Sequence, residues 1–228
     1  MHPMSKNACS DRAIGRGPRR WAAWPLLALL SACGTTEFEA KPVIPAPLIT
    51  KIPVVVGVYI PAEFRDKVHH EKRDGSEYAI TIGTAQADGF MRLMVAMFTR
   101  AVPVPTADAG SRTDPEIRGV LEPVLEEFEF ITPTDSGTPL YAVSLRYKIN
   151  GYTPTGQLFN SWAFTGYGTA SSAGMPTQGK PALRQATALA MRDAAAKIAT
   201  EFREQAIARG LLPAEAEPPP TEVVEPPR

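Results

Sequence analysis

Histidine and cysteine are scarce in this sequence: its 228 residues include three histidines and two cysteines. His69 and His70 are adjacent, so they point to opposite faces of a strand or lie about 100° apart on a helix, and either geometry chelates a metal poorly. The sequence also lacks a G-x-S-x-G elbow, a Walker-type loop and a dinucleotide-binding fingerprint, since Gly166 and Gly168 have no third glycine after them. No catalytic residue, cofactor or metal is therefore indicated.

Net charge is absent too, with 24 basic and 24 acidic residues, but the charges are unevenly distributed. Residues 1–32 hold five basic side chains against one acidic side chain, Asp11, so the rest of the chain carries a small negative excess. Neutralising phosphates requires a clustered basic surface, and none occurs after residue 32. The charge pattern argues against a nucleic acid partner.

The first 32 residues have the three parts of a secretory signal peptide. Arg16, Arg19 and Arg20 form a basic region, WAAWPLLALL from Trp21 to Leu30 is uncharged and mostly apolar, and two small residues come next. Ten residues of helix reach about 15 Å, half of a hydrocarbon core of about 30 Å, so this segment is too short for a stable span. We expect residues 1–32 to be a cleaved leader.

The junction Leu30-Ser31-Ala32-Cys33-Gly34 resembles the lipobox of bacterial lipoproteins. The resemblance implies a diacylglyceryl group on the Cys33 thiol, cleavage before Cys33 and acylation of its new amino group. Three acyl chains would hold the protein on a membrane permanently. Because glycine rather than aspartate comes after the cysteine, the resemblance also implies outer-membrane sorting, with the domain facing the periplasm. The alternative is an ordinary signal peptide in which Cys33 is incidental.

Acylation of Cys33 and removal of Cys9 with the leader would leave no free thiol for a disulfide, a nucleophile or a zinc site. The core would then depend on burial alone, which a domain of roughly 150 residues allows.

Proline-rich segments flank the expected domain. Residues 33–52 contain Pro42, Pro45 and Pro47 without helical or alternating periodicity, which predicts an extended tether that lifts the domain off the bilayer. Residues 210–228 are rich in proline and glutamate and predict a disordered tail. The folded domain is expected at residues 53–209.

Hydrophobic periodicity divides that domain into strands and helices. The run PVVVGVY predicts a strand buried on both faces, and Asp74-Gly75 predicts a hairpin turn. Alternation in residues 140–150 predicts a half-solvated antiparallel strand. The predicted elements are strands at 53–59, 67–72, 77–82, 120–131, 140–150 and 157–170 and helices at 83–101 and 181–208.

This order predicts an α+β fold: a mainly antiparallel sheet of about four to five strands with two long helices packed on one face. Over residues 50–208 the features PVVVGVY, ITIG, SWAFTGYG and the Ala-rich terminal helix resemble, loosely, small envelope lipoproteins of Gram-negative bacteria. These include the YajG-like family and the lipopolysaccharide-assembly lipoprotein. The resemblance transfers no functional residue.

Three groups of side chains are candidates for a site. The carboxylates suggest paired acids as in a glycan hydrolase, or simply a solvated sheet face; they are Glu122, Glu126, Glu127 and Glu129. The aromatic residues Tyr147, Tyr152, Trp162, Phe164 and Tyr167 suggest a ligand groove, or packing beneath the helices. A weak metal cluster of His69, His70, Glu71 and Asp74 has an exposed hairpin as its alternative.

The sequence thus favours a non-enzymatic outer-membrane lipoprotein with a binding or assembly role and an envelope protein as partner. An auxiliary lipoprotein of an envelope transporter is the alternative, and a carboxylate-dependent glycan hydrolase is a further one. The oligomeric state is not indicated.

Overall fold

The computed structural model describes residues 35–40, 47–73, 75–174 and 179–208, the side chains of Thr35 and of residues 205–208 excepted. The predicted leader, the cleavage junction and the tail at 210–228 lie outside this part of the chain. The strands are β1 Thr35–Glu39, β2 Ile52–Val58, β3 Val68–Arg73, β4 Ser76–Thr81, β5 Phe98–Pro103, β6 Ile117–Ile131, β7 Leu140–Tyr152 and β8 Leu158–Ser171. The helices are α1 Ala62–Arg65, α2 Gly83–Met97, α3 Gly110–Thr113, α4 Pro133–Ser136 and α5 Lys180–Ala208.

The fold is α+β, as predicted, but the sheets are mixed. One sheet has five strands in the order β5-β2-β6-β7-β8, and a smaller one has the order β1-β4-β3. In the larger sheet β2 runs parallel to both β5 and β6, and only β6, β7 and β8 form an antiparallel meander. The prediction of a mainly antiparallel sheet is therefore wrong for β5, β2 and β6. The chain passes through α2 on its way from β2 to β5, and a connection that contains a helix joins parallel strands.

The helices also differ from the prediction. Helix α5 has 29 residues, but α2 has only 15 and ends at Met97. The structure thus has one long helix where two were expected. Residues 98–101, which the prediction gave to the helix, begin β5 instead. The β-branched residues Thr99 and Val102 suit a strand, and Phe98 is fully buried there.

One face of the larger sheet, called here the inner face, carries the main core. The alternation predicted for β7 is confirmed, because Val143, Leu145 and Ile149 are buried in the main core, to which α2 and α5 both contribute. The small sheet covers the end of the same face, where the ring of Tyr78 lies 5.0 Å from that of Phe130. The prediction that both helices pack on one face therefore holds.

Strand β2 is buried on both faces, as its unbroken apolar run predicts. Val56 and Val58 belong to the main core. Val55 and Tyr59 pack against a second cluster on the opposite, outer face; its buried members are Val104, Ala109, Ile117 and Val120. Over β6, β7 and β8 the outer face carries mainly polar side chains.

A β-bulge in β6 changes which residues face the core. Leu125 pairs with Tyr147 and Glu127 pairs with the preceding residue, Arg146, so Glu126 is an extra residue. Phe128 and Phe130 are buried on the inner face as a result. Val124, which simple alternation groups with these phenylalanines, lies before the bulge and is only half-buried.

A second irregularity relocates Phe159. The register of β7 and β8 shifts at Gly151 and Tyr152. The ring of Phe159 consequently lies 6.0 Å from Trp162, whereas simple alternation placed the two residues on opposite faces. Among the described residues no helix has the length and apolar character needed to cross a membrane.

The prediction of a tether at residues 33–52 is wrong for Thr35–Glu39, which form a strand. Strand β1 pairs in parallel with β4, from Thr35 opposite Glu77 to Glu39 opposite Thr81. Phe38 and Ala40 are buried in the main core, and the Ala40 amide donates a hydrogen bond to the Thr81 carbonyl oxygen at 2.9 Å. Burial of Phe38 and pairing with β4 stabilise this segment enough to offset the conformational entropy lost when it is ordered.

Candidate functional site

The predicted lipidation residue Cys33 and its cleavage motif, Leu30, Ser31 and Ala32, lie outside the described residues. The structure does show how soon after Cys33 the folded domain begins. The first described residue, Thr35, already belongs to β1, which pairs with β4. A lipid on Cys33 would therefore be attached two positions before the first strand.

The four aromatic residues proposed for binding do not share a surface. Tyr147, Trp162 and Phe164 are 6%, 1% and 3% exposed and belong to the main core, whereas Tyr167 is 61% exposed. Trp162 packs on Phe202 of α5, with ring centroids 4.9 Å apart. The structure thus brings three of the candidates together beneath the helices and leaves Tyr167 apart from them.

Tyr147 is the polar member of this buried group. Its hydroxyl donates a hydrogen bond to Gln86 Oε1 at 3.2 Å, and Gln86 Nε2 donates to the Phe64 carbonyl oxygen at 2.7 Å. Burial raises the pKa of Tyr147 well above its usual range. The residues border an apolar cavity of about 30 Å³ between α2, α5 and the sheet, which is room for little more than one water molecule.

Tyr167 lies on the edge strand of the sheet, where side chains of α5 bind two backbone groups of β8. The Tyr167 amide donates to Asp193 Oδ2 at 2.9 Å, and Lys197 Nζ donates to the Thr165 carbonyl oxygen at 2.7 Å. Lys197 also pairs with Asp193 at 2.9 Å and lies 4.9 Å from the Tyr167 ring centroid. Partial burial raises the pKa of Asp193, but the hydrogen bonds from Lys197 and the Tyr167 amide outweigh it and lower that pKa.

The contacts of Asp193 and Lys197 restrict the pairing of β8 with a strand of another protein. An unpaired edge strand is a template for another strand, and side chains from a covering helix block that pairing. The sequence did not indicate it, because Asp193 and Lys197 are 26 and 32 residues away from the groups they bind.

The carboxylates of β6 do not converge. Glu126, the bulge residue, pairs with Arg146 Nε at 3.2 Å and Lys148 Nζ at 2.8 Å, and the Lys148 hydrogen bond is the main cause of its lowered pKa. Glu127 and Glu129 are exposed. Neither lies in an enclosed pocket that would set up a general acid.

Glu122 joins a polar network across three strands of the outer face. It accepts hydrogen bonds from Tyr152 Oη at 2.6 Å and Asn150 Nδ2 at 2.9 Å, and Asn150 Oδ1 accepts from the Ser161 hydroxyl at 2.8 Å. Burial and the Glu122 carboxylate raise the pKa of Tyr152 to about 12. The network holds the strands together and leaves Glu122 without the geometry of a paired acid.

His69 is held by contacts with other protein groups. The His69 ring stacks on Phe128 with centroids 4.5 Å apart, and its Nε2 lies 3.0 Å from Glu71 Oε2. His70 is exposed, and Asp74 lies outside the described residues. Within the described ranges no group of three histidine, cysteine or acidic side chains is placed to hold a metal ion.

Arg73 links the small sheet to the connection between β6 and β7, a contact that sequence reasoning missed. Its Nη1 donates to the Phe130 carbonyl oxygen and to Asp135 Oδ2, each at 2.8 Å. Asp135 also accepts from the Thr132 amide at 2.7 Å in a capping box at the start of α4. The Thr132 amide first, and then Arg73, lower the pKa of Asp135 to about 2.

Comparison with known proteins leaves the chain without an assigned family. It matches no known protein family model and no curated protein sequence. Among solved structures it is similar to a DUF330 protein from Xanthomonas campestris, with 12% identity, 77% of this chain and 98% of that one covered, and a TM-score of 0.45. A minor lipoprotein from Acinetobacter baumannii has 11% identity, 74% and 100% coverage and a TM-score of 0.39. The PelC dodecamer from Paraburkholderia phytofirmans has 17% identity, 66% and 95% coverage and a TM-score of 0.32. Scores this low do not establish a family, so the resemblance to YajG-like and lipopolysaccharide-assembly lipoproteins stays a prediction.

Proposed function

We propose that this chain is a non-enzymatic lipoprotein, anchored in the outer membrane through Cys33, whose α+β domain serves in the periplasm as a binding or assembly component of the envelope. The observation that carries the proposal is the junction Leu30-Ser31-Ala32-Cys33-Gly34, placed directly before the first strand of a folded domain. A leader followed at once by structure leaves the cysteine at the start of the mature protein, where a lipid anchor belongs.

The side chains of the domain support a binding role over hydrolysis. A carboxylate-dependent glycan hydrolase needs two acids that flank a substrate, one of them with a raised pKa. Glu127 and Glu129 are exposed, and Glu126 is neutralised by Arg146 and Lys148. These carboxylates therefore suit a solvated sheet face.

The anchor is tested by comparing the two cysteines of the sequence, Cys9 and Cys33. We expect Cys33→Ser to abolish incorporation of labelled palmitate and to move the protein from the membrane pellet to the soluble fraction. Cys9→Ser is the matched control, since Cys9 is removed with the leader. Processing and membrane association that survive Cys33→Ser would refute the proposal.

The sorting step and the partner are tested separately. Gly34→Asp should shift the protein from the outer to the inner membrane in a sucrose gradient if the lipobox governs its destination. Crosslinking of the intact lipidated protein in cells should recover one envelope protein in stoichiometric amount. A transporter subunit as that partner would select the auxiliary role, and the absence of any partner would contradict an assembly role.

A further inference from the structure

The position of β1 limits how far the domain can stand from its anchor. Thr35 is two positions after Cys33, and two extended residues span at most about 7 Å. From Thr35 onward the chain is fixed in the domain, because β1 pairs with β4 along its whole length and Phe38 is buried. If Cys33 carries the lipid, the end of the domain at which β1 begins lies within a few ångströms of the bilayer surface.

Strand register identifies what else lies at that end. Thr35 is opposite Glu77 at the start of β4, and Arg73, at the end of β3, reaches the Phe130 carbonyl oxygen and Asp135. Leu140 at the start of β7 pairs with Ser171 at the end of β8. The anchor-side end therefore consists of the end of β3, the start of β4, residues 131–140 with α4, and the last residues of β8.

Two large apolar side chains are exposed at this end. Ile131 is 47% exposed and Leu140 is 42% exposed. Ile131 pairs with Ala142, two residues beyond Leu140, so the two side chains are diagonal neighbours on the outer face, at about 7–8 Å. Pro139, beside them, is exposed as well. No side chain within the described part of the chain fully covers Ile131 or Leu140. They lie at the end of the domain that the lipid on Cys33 would hold next to the membrane.

From this geometry we infer that the anchor-side end rests on the bilayer and that Ile131 and Leu140 enter the boundary between headgroups and acyl chains. The inference rests on the proposed lipid at Cys33. A short attachment and an apolar contact together fix one orientation: the β7–β8 hairpin points away from the membrane. β7 has 13 residues, so its far end is about 40 Å from Leu140.

Depth-dependent fluorescence quenching tests this orientation on the lipidated full-length mature protein. Acylated Cys33 leaves no other thiol in the mature sequence, so Leu140→Cys can be labelled selectively with an environment-sensitive fluorophore. Leu158→Cys is the matched control, since Leu158 is 57% exposed and pairs with Tyr152 at the far end of β7. In phosphatidylethanolamine–phosphatidylglycerol vesicles that carry a headgroup nitroxide, we expect a blue shift and loss of most emission at position 140, and emission unchanged from vesicle-free protein at position 158.

A linker variant separates orientation from mere attachment. Twelve Gly/Ser residues inserted between Gly34 and Thr35 would give a flexible reach of about 20 Å, so quenching at position 140 should fall while flotation with the vesicles is retained. Equal quenching at both positions would overturn the inferred orientation. Quenching at position 140 that the linker leaves unchanged would overturn the role of the short attachment and show that the apolar side chains hold this orientation alone. Failure of the unmodified protein to float, with no lipid on Cys33 by mass spectrometry, would instead overturn the proposed function and the inference with it.

Discussion

A methyl group added at Gly166 or Gly168 should push helix α5 away from strand β8. Both glycines lie on the inner face against the backbone of the helix. A Cβ atom at Gly166 would overlap the Ala190 carbonyl oxygen and lie 2.6 Å from the Ala194 amide nitrogen. At Gly168 it would overlap the Ala186 carbonyl oxygen and lie 2.9 Å from Leu189 Cβ. Backbone atoms cannot rotate aside, so the helix itself would have to move.

The cost depends on the packing that such a shift would disturb. Helix α5 buries Ala186, Ala190, Ile198 and Phe202 against the sheet, and overpacking a dense core costs about 1–3 kcal/mol. Since the obstacle is backbone, we expect the upper end, about 3 kcal/mol. With a urea m-value of about 2 kcal/mol per M, the unfolding midpoint of the unacylated Cys33→Ser chain should fall by about 1.5 M in Gly166→Ala.

Thr169→Ala is the control, because Thr169 is exposed on the neighbouring part of β8. It should change the free energy of unfolding by no more than about 0.5 kcal/mol. If Gly166→Ala and Gly168→Ala both unfold at the same urea concentration as the control, α5 does not lie against the backbone of β8 and the reasoning fails.

Three further changes test other contacts. Tyr147→Phe leaves the buried Gln86 Oε1 without its donor and should reduce the free energy of unfolding by about 1 kcal/mol, measured in urea; an unchanged midpoint would contradict this hydrogen bond. The hydrogen bonds from Thr132 and Arg73 lower the pKa of Asp135 from 3.8 to about 2, so its stabilisation is complete above pH 3.8 and is lost as the pH falls towards 2. Asp135→Asn should therefore show a smaller loss of thermal stability over that range, and an identical loss would argue against the ion pair. Removing both Asp193 and Lys197, as Asp193→Ala with Lys197→Met, exposes the edge of β8 and should produce concentration-dependent self-association in sedimentation velocity; a double variant that stays like the wild type would show that this edge is protected by other means.

The elements that could be predicted are those whose own residues determine them. Alternation alone identified the buried face of β7, and the run PVVVGVY identified a strand buried on both sides. The hairpin at residues 67–82 and helix α5 also lie where the sequence indicated them. In each case the pattern is local and repeats over several residues.

The errors arise where a distant partner decides the outcome. Thr35–Glu39 is a short segment beside several prolines, and it becomes β1 because it pairs with β4, some 40 residues later, and buries Phe38. The helical pattern predicts α2 as far as residue 101, because nothing in residues 98–101 shows that β2 lies alongside them. The parallel arrangement of β2, β5 and β6 is likewise a property of the connections.

The candidate site shows the same limit. Alternation places Tyr167 on the face opposite Trp162 and Phe164, but it could not show which of the two faces is buried beneath the helices. The contacts of Tyr167 come from α5, and the ion-pair partner of Asp135 is Arg73, 62 residues earlier. Such pairs have no signature in a single sequence.

The bulge at Glu126 has a consequence for how sequences of this fold can vary in length. If Glu126 were absent, the residues before and after it would alternate between the two faces of the sheet without interruption. A homologue with one residue fewer at this position would therefore keep Leu121 and Phe128 in the core and lose only the side chain that faces Arg146 and Lys148. A deletion at a regular position of the strand would instead turn every side chain beyond it to the opposite face. Gaps in alignments of β6 are thus expected to cluster at this one position.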